Sequence, residues 1–179
     1  MIRRSVARRY VRAGFDAATK AGVGDVAQRQ FGAIQAAMRA GPDLPRLLKH
    51  PGMPLGRKLE ALGEVVGERL AEPVAELVGL VVQNHRVEVL ASAGELFQEL
   101  ADEAAGIVPA QVMAPMPLSD EQAQRLKQAL SQLVGSSVRL EFRRQSDLIG
   151  GIVVRVGDRV IDASVAGRLQ RITERLGAP

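Results

Sequence analysis

The sequence lacks cysteine and tryptophan, and it contains only two histidines, His50 and His85, among its 179 residues. The absence of cysteine excludes disulfides, thiol catalysis and cysteine-ligated metal or iron–sulfur sites. Two histidines offer little material for a histidine-built metal site, so we expect no metal and no cofactor. Aromatic residues make up 3% of the chain, and a core of this size must therefore consist mainly of Leu, Val, Ile and Ala. Apolar runs reach about six residues, too short to cross a bilayer.

The composition is that of a globular protein, with 46% apolar and 25% charged residues. The net charge of +4 is unevenly distributed. Residues 1–46 contain nine Lys or Arg against three acids, residues 47–107 five against ten, and residues 108–179 ten against seven. This pattern indicates internal electrostatic complementarity or surfaces intended for different partners.

The arginine-rich beginning of the chain has three interpretations. It is consistent with an organellar transit peptide, with a nucleic-acid-binding patch, or with the solvated face of a first helix. We favour the helix, because Ala7, Tyr10, Val11, Gly14 and Ala18 fall on one side at helical spacing. The arginines concerned are Arg3, Arg4, Arg8, Arg9 and Arg12.

Residues 1–106 show helical periodicity throughout, and we predict an all-α six-helix bundle as the first domain. Gly-Pro, His-Pro and Gly residues separate the apolar stripes, and Pro73 marks a helix start. The predicted helices cover residues 5–21, 25–40, 44–49, 53–70, 72–84 and 87–105.

Residues 107–179 change to the two-residue period of strands and predict a small α/β domain, so the fold class is α+β overall. Predicted strands cover residues 107–114, 138–142, 149–156 and 159–161, the last two joined by a Gly157-Asp158 turn. A capping box at Ser119 and Gln122 begins one helix, and Ser164 begins another.

No arrangement of residues typical of a catalytic centre occurs in the sequence. There is no phosphate-binding loop, because no glycine precedes a lysine, and no nucleophile elbow or zinc-binding helix. His50 and His85 both stand at predicted helix ends, where capping or solvation is the simpler role. We therefore predict no catalytic residues and regard an enzyme as the weakest function class.

Apolar residues cover an unusually wide arc of the predicted fifth helix. At about 100° per residue, the apolar positions of residues 74–82 span roughly 200°, against about 100° for an ordinary surface helix. Such a helix is either central in its domain or packed on two sides, once internally and once by a partner. The first helix offers small residues at Ala13, Gly14 and Ala17 beside Tyr10, so the two helices together could form a groove for a partner's amphipathic helix.

Three segments resemble the delta subunit of F-type ATP synthases, whose mitochondrial counterpart is the oligomycin-sensitivity-conferring protein. They are ARRYVRAGF at residues 7–15, Asn84-His85-Arg86, and LIGGI at 148–152 with RVGDRVIDASVAGRL at 155–169. The resemblance extends from about residue 5 to residue 176. It implies a non-catalytic peripheral-stalk (stator) subunit that links the catalytic hexamer to the membrane-anchored b subunits and resists rotational torque.

The resemblance also implies that a single copy of this chain is present in a hetero-oligomeric complex and binds partner subunits. In the family, the first and fifth helices bind the N-terminal helix of an alpha subunit, and the C-terminal domain holds the C-terminal ends of b-type stalk subunits. We expect a peripheral location on the cytoplasmic face of the bacterial inner membrane, without membrane insertion. Carried onto this sequence, the groove residues are Tyr10, Ala13, Leu77 and Leu80, to which helical geometry adds Ala17 and Val81.

The alternative functions are a basic RNA-binding protein and another helical adaptor. The positive charge suggests the first, but the sequence has no array of stacking aromatics and no recognisable RNA-binding motif. We therefore expect no nucleic-acid partner.

Overall fold

The computed structural model describes residues 4–176, except for the side chains of 172 and 174–176. The chain divides into two compact units, of which the first ends at Ala101 and the second begins at Asp102. Within the described residues there are eight α-helices, one 3-10 helix and four strands, which is an α+β fold.

Unit 1 is helical. Its first helix, α1, packs on α5, and α2 contacts α1, α4, α5 and the 3-10 helix. The elements are α1 (Arg4–Lys20), α2 (Gly24–Ala40), α3 (Asp43–Lys49), α4 (Leu55–Val66), α5 (Glu72–Gln83), the 3-10 helix Val87–Ser92 and α6 (Ala93–Ala105), which continues into unit 2.

Three phenylalanines form the aromatic part of the unit 1 core. The ring centroid of Phe97 lies 5.2 Å from that of Phe15 and 5.4 Å from that of Phe31. The rest of the core is aliphatic, as the shortage of aromatic residues predicted. Gln30 is fully buried among these residues, and its amide bonds to Glu68, to the Arg69 carbonyl and to the Ala71 backbone N–H. Gln30 thereby fixes the loop between α4 and α5.

Unit 2 contains a four-stranded sheet of order β2-β1-β3-β4. Strands β1 and β2 are parallel and joined through α7, whereas β3 pairs antiparallel with both β1 and β4. Ala110, Val112, Val154 and Val156 line the buried face of the sheet, and Leu130 of α7 belongs to the same core. The elements are β1 (Val108–Ala114), α7 (Asp120–Val134), β2 (Val138–Arg144), β3 (Val153–Val156), β4 (Arg159–Asp162) and α8 (Val165–Leu176).

The predicted caps of unit 2 are confirmed. Ser119 accepts from the Gln122 backbone N–H and Gln122 accepts from the Ser119 backbone N–H, so both halves of the capping box are present. Ser164 accepts from the Gly167 backbone N–H at the start of α8. Of the N-terminal arginines, Arg3 lies outside the described residues, whereas Arg9 and Arg12 are exposed on α1, in which Val11 is buried.

Three predicted element bounds are wrong. The helix predicted over 53–70 ends at Val66, because Gly67 adopts the left-handed conformation with φ of 80°. The helix predicted over 87–105 is divided into the 3-10 helix and α6. The strand predicted from 149 begins at Val153, since Gly151 has φ of 80° and lies too close to the Ala163 carbonyl to accept a side chain.

Candidate functional site

A concavity of about 330 Å³ lies on the surface of unit 1 beside α1 and the end of α5. We call it the α1–α5 groove. Its apolar residues come from both helices. One arginine lies on each side of it, Arg9 on α1 and Arg86 just after α5. The lining residues are Val6, Arg9, Tyr10, Ala13, Leu80 and Arg86.

Small residues on α1 allow α5 to approach closely beside the groove. Ala7, Gly14 and Ala18 are all buried on one face of α1. A Cβ built on Gly14 would lie 3.2 Å from Cδ1 of Leu77, tighter than most side-chain contacts. Gly14 therefore occupies a packing position, which offsets its cost of about 1 kcal/mol relative to alanine in a helix.

The wide apolar arc of α5 has an inner and an outer part. Val74, Leu77, Val78 and Val81 are buried in the unit 1 core. Leu80 is 44% exposed and lines the groove. The helix is therefore not completely enclosed within unit 1, and Leu80 is the large apolar residue of α5 that remains available to a partner.

The structure separates the six expected groove residues into two sets. Tyr10, Ala13 and Leu80 lie together around the concavity. Leu77 and Val81 lie in the core and support the groove from within, and half-buried Ala17 is not part of the lining. The residues divide in this way because Leu77 of α5 packs against Gly14 of α1. Leu80, which lies on a different side of α5, therefore faces the solvent.

The segment after α5 contributes a groove residue that sequence reasoning did not assign. The backbone N–H of Arg86 donates to the Val81 carbonyl and that of His85 donates to the Val82 carbonyl. With φ of 53° at His85, these bonds form a Schellman motif at the end of α5. The motif turns the chain so that the Arg86 guanidinium carbon lies 6.0 Å from the centroid of the Tyr10 ring.

A larger concavity of about 1060 Å³ lies along α4 and the loop that follows it. Glu60, Glu64, Glu68 and Glu72 all contribute to its lining. Among the described residues, the lining of this larger concavity includes no large apolar side chain that is exposed to solvent. Of these two concavities, the α1–α5 groove is thus the one lined by an exposed large apolar side chain, Leu80.

Unit 2 exposes a second apolar surface on α8. Val165 and Leu169 occupy one stripe of this helix and are 43% and 59% exposed. Ile149 is exposed nearby, in the loop whose Gly150 carbonyl accepts from the Val165 backbone N–H. An amphipathic helix normally buries such a stripe against another element.

Groups of side chains that could hold a metal ion are absent among the described residues. Within residues 4–176, none of the helices combines the length and the apolar character needed to cross a membrane.

Comparison with known proteins defines the class of this chain as a component of ATP synthases. It is 37% identical over 173 residues to ATP synthase subunit delta of Chromobacterium violaceum, covering 96% of each chain. It is 32% identical over 176 residues to ATP synthase subunit delta of Desulfitobacterium hafniense, covering 98% of each chain. The fold resembles a chain in the mitochondrial ATP synthase hexamer of Toxoplasma gondii, with a TM-score of 0.60, 23% identity, and coverage of 97% of this chain and 98% of that one.

The family model for the ATP synthase delta (OSCP) subunit matches residues 6–176, and the chain belongs to this family. It is therefore a structural, non-catalytic subunit of the peripheral stalk of an F-type ATP synthase. The resemblance inferred from the sequence is confirmed.

Proposed function

We propose that the α1–α5 groove binds the N-terminal helix of an ATP synthase alpha subunit, and that unit 2 holds the C-terminal ends of the b-type stalk subunits. In this arrangement residues 1–106 act as one six-helix bundle and residues 107–179 as the stalk-binding domain. One copy of the chain then joins the catalytic hexamer to the membrane-anchored stalk, on the cytoplasmic face of the bacterial inner membrane.

The observation that supports the groove most strongly is the exposure of Leu80. The other large apolar residues of α5 are mostly buried, whereas Leu80 is exposed next to Ala13 and Tyr10. Such an exposed apolar side chain in a groove is typical of a surface that binds the apolar face of a helix. Burial of about 400 Å² of apolar surface contributes on the order of 10 kcal/mol, from which the cost of association is subtracted.

The exposed stripe of α8 supports the proposal for unit 2. Isolated helices of about twelve residues are marginal in water, so α8 gains stability when its stripe is covered. Arg168 borders the stripe of Val165 and Leu169 on this helix and is exposed. These features match an amphipathic stalk helix with acidic residues beside its apolar face. The stripe has aliphatic residues and no aromatic anchors, which favours a helix over a membrane interface.

The function requires two durable junctions rather than a chemical step. Rotation of the central rotor exerts torque on the catalytic hexamer, which would turn with it unless the stalk held it. Each junction must therefore dissociate slowly compared with turnover, and slow dissociation is the usual consequence of a well-packed apolar contact.

Calorimetric titration with the N-terminal peptide of the alpha subunit tests the groove. Leu80→Asp introduces a charge into the groove and is expected to weaken binding at least tenfold. Val65→Asp is the matched control, because Val65 is 43% exposed on α4 and lies outside the groove lining. Equal binding by wild type and Leu80→Asp, or an equal loss in both variants, would contradict the proposed site.

A further inference from the structure

The α1–α5 groove has two walls, one formed by α1 and one by the end of α5, and one arginine lies on each wall. Arg9 belongs to α1 and Arg86 follows α5, and both side chains line the concavity beside Tyr10 and Leu80. Both arginines are exposed. The groove thus combines an apolar floor with positive charge contributed by both of its walls.

These two arginines have no carboxylate partner among the side chains that the structure describes. Other arginines of the chain do: Arg4 pairs with Glu99, and Arg39 forms a bidentate pair with Glu95. The guanidinium groups of Arg9 and Arg86 are therefore available to an external group.

The position of Arg86 is fixed by the fold. Its backbone N–H closes the Schellman motif at the end of α5, and its guanidinium lies 6.0 Å from the centre of the Tyr10 ring. A guanidinium over an aromatic face keeps its N–H groups at the edge of the plane free to donate. Arg86 is therefore oriented before a ligand arrives, which reduces the entropy lost on binding.

We propose that Arg9 and Arg86 bind carboxylates of the guest helix, so that the groove selects an amphipathic helix with acidic residues on the flanks of its apolar stripe. The inference rests on the proposed function of the groove and adds the chemistry by which it chooses its guest. Val6, Tyr10, Ala13 and Leu80 require an apolar guest surface, which a nucleic acid backbone does not offer. Charge complementarity at the edges then sets orientation and association rate.

The test uses the N-terminal peptide of the alpha subunit and a second version in which every Asp and Glu is replaced by Asn or Gln. With wild-type protein we expect the neutral peptide to bind about three- to tenfold more weakly, and the difference to shrink as salt is added. With the double variant Arg9→Gln/Arg86→Gln, the two peptides are expected to bind equally.

Arg12→Gln is the matched control, because Arg12 is an exposed arginine of α1 outside the groove lining. This variant lowers the net charge but is expected to preserve the difference between the peptides. Equal binding of both peptides to wild type, with Leu80→Asp still harmful, would overturn this inference and leave the groove intact. Insensitivity of binding to Leu80→Asp would instead overturn the proposed site, whatever the effect of peptide charge.

Discussion

Gly14 of α1 lies directly against Leu77 of α5, where an added Cβ would be 3.2 Å from the Leu77 Cδ1 atom. This contact sets how closely the two helices approach and hence the width of the groove that Tyr10 and Leu80 line. We expect Gly14→Val to lower the free energy of unfolding by about 1–3 kcal/mol through overpacking. Gly14→Ala adds only one methyl group and gains about 1 kcal/mol of helix propensity, so its net effect is expected to be small.

Urea unfolding of the two Gly14 variants checks this prediction. Gly32→Val is a suitable control for valine in a helix, because a Cβ on Gly32 meets nothing within 4 Å. An equal loss for Gly14→Val and Gly32→Val would show that helix propensity, rather than the contact with Leu77, determines the result.

Leu77 and Leu80 belong to one apolar arc but are expected to respond differently to truncation. Leu77→Ala removes a buried side chain and should cost about 2–5 kcal/mol of stability. Leu80→Ala should change stability by less than about 1 kcal/mol, since this side chain is 44% exposed, while it weakens binding of the alpha-subunit peptide. Thermal unfolding and calorimetric titration of both variants measure the contrast. A large stability loss for Leu80→Ala would place that side chain in the core.

In unit 2, the buried carboxylate of Asp102 accepts from Arg139 at 2.9 Å to Nε and 2.5 Å to Nη2. Arg139→Met leaves this carboxylate without two charge-assisted bonds and is expected to destabilise unit 2 by about 1–3 kcal/mol. Arg125→Met provides the control, because the Arg125–Glu121 pair on α7 is largely exposed and contributes less than about 1 kcal/mol. Urea unfolding should separate the two variants; equal losses would mean that burial of Asp102 has no effect.

The Glu95–Arg39 pair predicts a pH dependence of stability. Hydrogen bonding from the Arg39 guanidinium lowers the pKa of Glu95 below its usual value. The stabilisation is therefore present above the pKa of this group in the unfolded chain and is lost as the pH falls through its folded value. Both side chains are half exposed, so the contribution is below about 1 kcal/mol.

We expect Glu95→Gln to be less stable than wild type at about pH 7, and the difference to be smaller at about pH 3, because the stabilisation is lost as the pH falls through the folded pKa of Glu95. Urea titrations at the two pH values give the comparison. A difference that stays constant with pH would show that packing, and not the ion pair, distinguishes the two proteins.

Much of the fold could be predicted from sequence, because caps and glycines mark the ends of its elements. Ser119 and Ser164 begin helices as predicted. The end of α4 at Gly67 was missed, since the apolar spacing continues to Leu70 and only the left-handed backbone of Gly67 reveals the stop. The 3-10 helix was also missed, because its buried Val87 and Leu90 are three residues apart, a spacing that α-helices share.

The groove was predicted as a pair of helices with six residues, of which Tyr10, Ala13 and Leu80 line the concavity. A helical wheel gives the width of an apolar arc but not the direction in which its neighbours lie. The contact between Gly14 and Leu77 determines that Leu80, and not Val81, faces outward. Arg86 could not be assigned, because its position over Tyr10 depends on the left-handed backbone of His85.

The absence of cysteine allows a direct measurement of the proposed contact. Ala13→Cys places a single thiol in the groove, and Val65→Cys places one on α4 outside it. Each variant is assembled with alpha subunits that have one cysteine in the N-terminal helix, and disulfide formation is followed under mild oxidation. We expect rapid cross-linking through Ala13→Cys and little through Val65→Cys. Equal cross-linking at both positions, or none at Ala13→Cys, would contradict binding of the alpha-subunit helix in the groove.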